Sequence, residues 1–200
     1  MKSKIIFFSI IQLLFSNLIG QTTYNYSYTT IGASEASVIQ GHLNNGDHVI
    51  VTSTGTSTNL QITSNILKSS GGDATLTIKS AFRVTMNINT SIRSTSNKLN
   101  IIFWSNSTNN SSTKGMIRFG DHTQPTANVV IETNGGYLWI VGGSTNTTWN
   151  GLTVGDGYAW GCASPGGNGW YGIELYGDCR FYTKGGNIAF RGRSSDQTSG

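Results

Sequence analysis

Ser69-Ser70-Gly71-Gly72-Asp73-Ala74-Thr75-Leu76-Thr77-Ile78 is the stretch on which the fold turns. A glycine pair adopts left-handed backbone without steric cost, so it reverses the chain locally. Behind it, Ala74, Leu76 and Ile78 alternate with Asp73, Thr75, Thr77 and Lys79, which places apolar side chains on one face of a strand. The order returns in Thr133-Asn134-Gly135-Gly136-Tyr137-Leu138-Trp139-Ile140 and in Thr183-Lys184-Gly185-Gly186-Asn187-Ile188-Ala189-Phe190. All three copies read Ser/Thr, any residue, Gly, Gly, any residue, apolar, any residue, apolar.

Strands of the same kind lie between the copies. Val84, Met86 and Ile88 alternate with Arg83, Thr85, Asn87 and Asn89, and Leu99, Ile101 and Phe103 alternate with Lys98, Asn100, Ile102 and Trp104. Val129 and Ile131 lead into the second glycine pair. The segment from Ile66 to Ile78 resembles that from Ile92 to Ile102, roughly 25 residues on, about one coil of a parallel β-helix. A single coil cannot bury its inner face alone, so such coils must stack. The expected class is therefore all-β, a parallel β-helix, with an antiparallel β-sandwich as the alternative. No helical pattern stands out after the first twenty residues.

Those twenty residues begin with Lys2 and Lys4, continue with an apolar run from Ile5 to Phe15 broken only by Ser9 and Gln12, and exit through Ser16, Asn17 and Gly20. That order is a secretory signal peptide, with cleavage expected near Gly20–Gln21. No later run approaches the 20 or so apolar residues of a membrane span. The expected organisation is a signal peptide over 1–20, capping or lead-in strands over 21–58, and a repeat region over 59–200. Without Lys2 and Lys4 the chain carries 11 basic against 9 acidic residues, scattered singly. Nucleic-acid binding needs a basic stripe, and none is present. Charged residues are only 11% of the chain and glycines number 26, which favours long stacked sheets over a compact mixed fold.

The run Asn65-Ile66-Leu67-Lys68-Ser69-Ser70-Gly71-Gly72-Asp73-Ala74-Thr75-Leu76-Thr77-Ile78-Lys79, followed by Val84-Thr85-Met86-Asn87 and Leu99-Asn100-Ile101, resembles the repeat region of filamentous-haemagglutinin-like adhesins. Ile131-Glu132-Thr133-Asn134-Gly135-Gly136, followed by Ile140-Val141-Gly142-Gly143, is similar to it as well, so the likeness spans about residues 59 to 192. The resemblance implies a right-handed parallel β-helix in a secreted or outer-surface protein that contacts cell-surface or extracellular glycans or proteins. It also implies continuation into, or stacking with, further repeats. It carries over no catalytic residue, metal or cofactor, and so implies adhesion or scaffolding without enzymatic turnover. The family's secretion domain carries Asn-Pro-Asn motifs, whereas Pro125 and Pro165 here stand in Gln-Pro-Thr and Ser-Pro-Gly. The leader, with its expected cleavage before Gln21, resembles those of Bacteroidetes-type surface proteins.

Trp139, Trp149, Trp160 and Trp170 fall ten, eleven and ten residues apart, with Tyr171 beside the last. Aromatic faces among polar neighbours stack on sugar rings, so these five are the candidate glycan platform; the competing reading has them fill the interior or stack on the outer face. Trp139 alternates with Leu138 and Ile140, which are the pair expected to face the core. Cys162 and Cys179 are either a disulfide of an exported protein or two separate thiols. Gly155-Asp156-Gly157 is a turn rather than a calcium site, since calcium-binding nonapeptides must repeat. Asp47 with His42 and His48, and Asp121 with His122, are the His–carboxylate neighbours. A carboxylate pair for glycoside hydrolysis would have to come from Asp156, Glu174 and Asp178 across coils.

Overall fold

The structure, a computed structural model, describes residues 21–53, 55, 58–108, 115–124, 126–161 and 171–195. Residues 1–20, Cys162, Trp170 and both prolines lie outside these residues. In chain order the elements are β1 (Thr23–Ser27), β2 (Thr30–Ile31), α1 (Ala33–Asn44), β3 (His48–Thr52), β4 (Leu60–Ile62), β5 (Ile66–Lys68), β6 (Ala74–Lys79), β7 (Val84–Met86), β8 (Thr90–Ser94) and β9 (Leu99–Ser105). There follow β10 (Ile117–Phe119), β11 (Asn128–Glu132), β12 (Leu138–Trp149), β13 (Leu152–Gly157), β14 (Ala159–Trp160), β15 (Ile173–Leu175), β16 (Asp178–Tyr182), β17 (Ile188–Phe190) and β18 (Gly192–Arg193).

The protein is predominantly β and its sheets are parallel. The first sheet has seven strands in the order β1-β3-β6-β9-β12-β13, with β17 beside β12; the second runs β2-β4-β7-β10-β15 and the third β5-β8-β11-β16. The chain visits the three sheets in turn and returns to the first one strand further along. Every pairing among the described residues is parallel except β12 with β13. An antiparallel sandwich, the sequence alternative, does not have this topology. Register between circuits is strict: Ile66 lies on Ile92, and Leu76 on Ile101. Contacts between neighbouring circuits join residues 25 and 27 apart early in the chain, then 37 and 50 apart. The added length sits between strands, after β9, after β10 and after β12.

Alternation decides what lies inside. Val49, Leu76, Ile101 and Leu138 stack in the first sheet, Leu60, Val84 and Ile117 in the second, and Ile66, Ile92 and Ile131 in the third, all fully buried in one core. An aromatic ladder crosses this core: Phe103 meets Phe119 at 5.0 Å, Phe119 meets Phe181 at 5.5 Å and Phe181 meets Phe190 at 5.6 Å, all edge to face. Leu138 and Ile140 point into it, as their alternation indicated. Ile88 does not extend β7, because the chain turns at Asn89 (φ +56°).

At the corner between the third and first sheets, Gly71, Asn97, Asn134 and Lys184 all take left-handed backbone. The Asn97 amide donates to Gly71 O, and Asn134 Nδ2 donates to Asn97 O at 3.2 Å, so side chains tie each corner to the one before. The second and third copies of the repeat stack in register, and the Thr133 hydroxyl that opens one copy donates to Gly136 O at 2.6 Å. In the first copy that inward position belongs to Lys68, which is fully buried. Its ammonium donates to Ser70 O at 2.8 Å, Ser96 O at 2.6 Å and Gly71 O at 3.4 Å.

One element departs from the sequence expectation of lead-in strands without helix. In the first circuit α1 stands between β2 and β3, where later circuits place a strand of the third sheet. Ala36, Ile39 and Leu43, at i, i+3 and i+7, seat it on the core. The Glu35 carboxylate accepts from Gly32 N–H at 3.0 Å and Gly46 (φ +84°) follows its end. Gly41, Ser37 and the β-branched Val38–Ile39 pair are weak helix formers, so this helix owes its existence to packing and not to propensity.

Candidate functional site

The outward face of the first sheet carries its own apolar cluster. Ile102, Trp104, Trp139 and Val141 point away from the main core and are covered by Leu152 and Val154. The cover is a hairpin. β12 leaves the stack at Gly142–Gly143, turns at Asn150–Gly151 with both residues at positive φ (50° and 76°), and returns as β13. Two positive φ values at Asn-Gly make the turn whose twist suits a hairpin. Gly155 is required where β13 crosses the sheet, because a Cβ there would sit 2.7 Å from Trp104 Nε1 and 2.8 Å from Gly142 O. Gly157 passes as close to Gly142 and Gly143. The Gly155-Asp156-Gly157 motif is thus a close backbone crossing, and Trp104 Nε1 donates to Gly143 O at 2.7 Å beneath it.

Between the hairpin tip and the first circuits runs a groove of about 290 Å³. Its floor is the outward face of β3 and β6, with His48, Ile50, Thr75, Thr77 and Lys79, and its far wall is Trp104 with Asn146, Leu152 and Thr153. Thr75 and Thr77 are alternate residues of one strand, β6, and so share its outward face, beside His48 and Ile50 of β3. Lys79 Nζ lies 4.0 Å from the Trp104 ring centre, and burial holds its pKa below the ordinary lysine value. Burial likewise lowers the His48 pKa, with Asp47 opposing. No carboxylate lines the groove among the described residues.

The five aromatic candidates do not form one platform. Trp139 is fully buried, with the exposed Trp149 ring 3.9 Å from it. Trp160 belongs to a separate groove of about 210 Å³ with Tyr158, Ser144 and Arg193, whose guanidinium stands 4.6 Å from the Trp160 ring centre. Tyr171 is exposed just before β15, and Trp170 lies outside the described residues. Pairing of Cys179 with Cys162 also falls outside them. The half-buried Cys179 thiol donates to Tyr176 O at 3.2 Å, and burial raises its pKa.

The carboxylates are dispersed. Asp156 pairs with Arg191 at 3.0 Å, the buried Glu174 with Arg118 at 2.7 Å, and Asp178 with Arg180, on three different sheets. His42 stacks on Tyr24 at 3.7 Å, accepts or donates to Tyr26 OH at 2.7 Å and stands 3.7 Å from Asp47, at the foot of α1. His48 instead bonds Gln21, so it does not join His42 and Asp47. Asp121 and His122, 3.4 Å apart, share an exposed turn.

Sequence reasoning missed Lys79, His48 and Trp104 as one site. The alternation that put Ile78 inside also put Thr75, Thr77 and Lys79 on the opposite face. Their meeting with Leu152 depends on the hairpin, for which Asn150-Gly151 between Thr147-Thr148-Trp149 and Leu152-Thr153-Val154 was the available signal. Comparison of the chain with protein-family models, with curated proteins and with solved structures found no match in any of the three.

Proposed function

We propose that this chain is an exported, surface-displayed adhesive module, built as a right-handed parallel β-helix, that holds glycans in the groove on the outer face of its first sheet. The three-sheet circuit with in-register parallel pairing supports the β-helix reading, and connections between parallel strands of one sheet are right-handed in nearly all proteins. The resemblance of residues 59–192 to haemagglutinin-type repeats and the leader-like first twenty residues support export and adhesion. The observation that carries the function is the groove: the threonines of β6, Lys79 and His48 face an aromatic wall with no carboxylate among the described lining residues. That combination suits a hydroxyl-rich, acidic saccharide better than a peptide, because β3 and β6 are paired on both sides and offer no free strand edge. Separate engagement of Asp156, Glu174 and Asp178 by three arginines supports binding without turnover.

Titration of the chain with oligouronates and neutral oligosaccharides of equal length tests this. Acidic saccharides should bind, and Lys79→Met should weaken them about tenfold, as expected for loss of one charge-assisted contact, with the melting temperature unchanged. Binding indifferent to Lys79→Met would remove the groove as the site. Release of shortened products would make the protein an enzyme.

A further inference from the structure

The outward face of the second sheet holds a pocket separate from the groove of the first. Gln61 of β4, Thr85 of β7 and Arg118 of β10 stand side by side in register, with Glu174 of β15 next in the row. Asn87 and Gly120 line the pocket from two residues further along, past the ends of β7 and β10. Gly120 takes left-handed backbone (φ +81°), and a Cβ there would collide with Tyr176 O. With Ile88 and Asp121 these residues enclose about 260 Å³. The polar groups of the pocket lack protein partners. Elsewhere the side chains of Asn44, Asn65, Asn89 and Asn100 accept backbone N–H groups of the following circuit. The side-chain amides of Gln61 and Asn87 bond none of the described residues, and the Thr85 hydroxyl is buried without a partner among them. Arg118 Nε donates to Glu174 Oε2 at 2.7 Å, and the Tyr176 ring stands 5.8 Å from the guanidinium. The side chain is thus held, while its two terminal nitrogens have no acceptor among the described residues. Asp121 Oδ1 accepts the N–H and hydroxyl of Thr123, and Oδ2 has no described partner. Those bonds, aided by His122 and Arg118, hold the Asp121 carboxyl below its ordinary pKa, so Oδ2 is an ionised acceptor at neutral pH.

We propose that this pocket binds one neutral sugar ring through a pair of vicinal hydroxyls. A guanidinium fork only donates, a carboxylate only accepts, and side-chain amides and hydroxyls do both. Vicinal hydroxyls match that mixed set: they accept from the Arg118 fork and donate to Asp121 Oδ2, and the amides of Gln61 and Asn87 serve the hydroxyls beside them. The half-buried Ile88 supplies an apolar patch for the C–H face of the ring. An anion fits less well, because Glu174 already matches Arg118 and Asp121 adds a negative charge. A cation would meet the Arg118 guanidinium. The volume is below the roughly 300 Å³ at which pockets for drug-sized ligands begin, which suits a single ring and not a chain. The site stands on a different wall from the first-sheet groove and takes a ligand of different charge, so it does not rest on that groove.

Titration of the isotope-labelled chain with the methyl glycosides of glucose, galactose and mannose, followed by NMR of its amide groups, tests the proposal. At least one glycoside should shift the side-chain amide signals of Gln61 and Asn87, with a Kd of about 1–10 mM, as expected of a few hydrogen bonds to one small ring. Tetrahydropyran, a ring of the same size without hydroxyls, should shift neither. Asn87→Ala and Asp121→Asn should each weaken the sugar about fivefold or more. Because the Asn87 amide and Asp121 Oδ2 bond nothing in the fold, the melting temperature should stay the same in both variants. No shift from any of the three sugars up to about 50 mM, a response that survives both substitutions, or acetate or phosphate binding here more tightly than the sugars would each overturn it. Failure of oligouronates to bind would count against the first-sheet groove and leave this site standing.

Discussion

Lys68 shows how a residue of unexpected type serves a position set by geometry. The inward site at the end of each third-sheet strand is held by Lys68, Ser94 and Thr133 in successive circuits, and each of these side chains donates to carbonyls of the following corner. Lys68 reaches two carbonyls of its own corner and Ser96 O of the next circuit's corner, and only a long flexible donor spans them. Desolvation holds its pKa below the ordinary value, with Asp73 opposing, and the carbonyl cage keeps the buried charge tolerable. Lys68→Met retains the shape and removes the donor, leaving Ser70 O without it while Gly71 O and Ser96 O keep Asn97 and Ser94; urea unfolding should show a loss of about 2 kcal/mol. Residue-level reading of the sequence found the Ser/Thr that opens each repeat but not its function, because a hydroxyl bonded three residues ahead looks the same in a string as any turn residue. The aromatic platform failed for a related reason. Ten-residue spacing says nothing about which sheet a tryptophan lands on once a hairpin intervenes, and Trp139 and Trp160 end up in different places.

Among elements, the strands were legible and the helix was not. Leu76, Ile78, Ile101, Phe103, Val129 and Ile131 are core residues as their alternation indicated, since period-two patterning is local and one face of every strand is buried. The α1 stripe of Ala36, Ile39 and Leu43 is only three residues wide and lies among weak helix formers, so only the open first circuit gives it a reason to form. Its stability is borrowed from the core, and Ile39→Ala should therefore cost about 3 kcal/mol in chemical denaturation, more than a solvent-side change such as Val38→Ala. The hairpin went unread although Asn150-Gly151 marks its turn, and its register has no local sign in the sequence, because the bulge between Gly142 and Asn146 shifts the pairing.

For the whole molecule, ion pairs between circuits add a pH dependence. Glu132 accepts from Arg93 of the preceding circuit at 2.8 Å and pairs with Lys184 of the next at 2.6 Å, so one carboxylate joins three circuits. Lys184, then Arg93, hold its pKa below the ordinary 4.5. A carboxylate whose pKa is lower folded than unfolded adds stability that is complete above the unfolded value and is lost as pH falls toward the folded one. Thermal melts should therefore show Glu132→Gln less stable than the parent at neutral pH and the difference closing as pH drops below about 4.5. His48 adds in the same direction at higher pH, since its lowered pKa means that protonation below the ordinary 6.5 opposes folding.

The circuits of 25, 27, 37 and 50 residues carry a lesson for anyone wishing to modify the protein. Registry is kept by the ladders, and the corners are free to grow, since doubling a loop costs only about 0.6 kcal/mol. A foreign epitope spliced between β9 and β10, a connection that has already lengthened, would be displayed without disturbing the parallel ladders on either side.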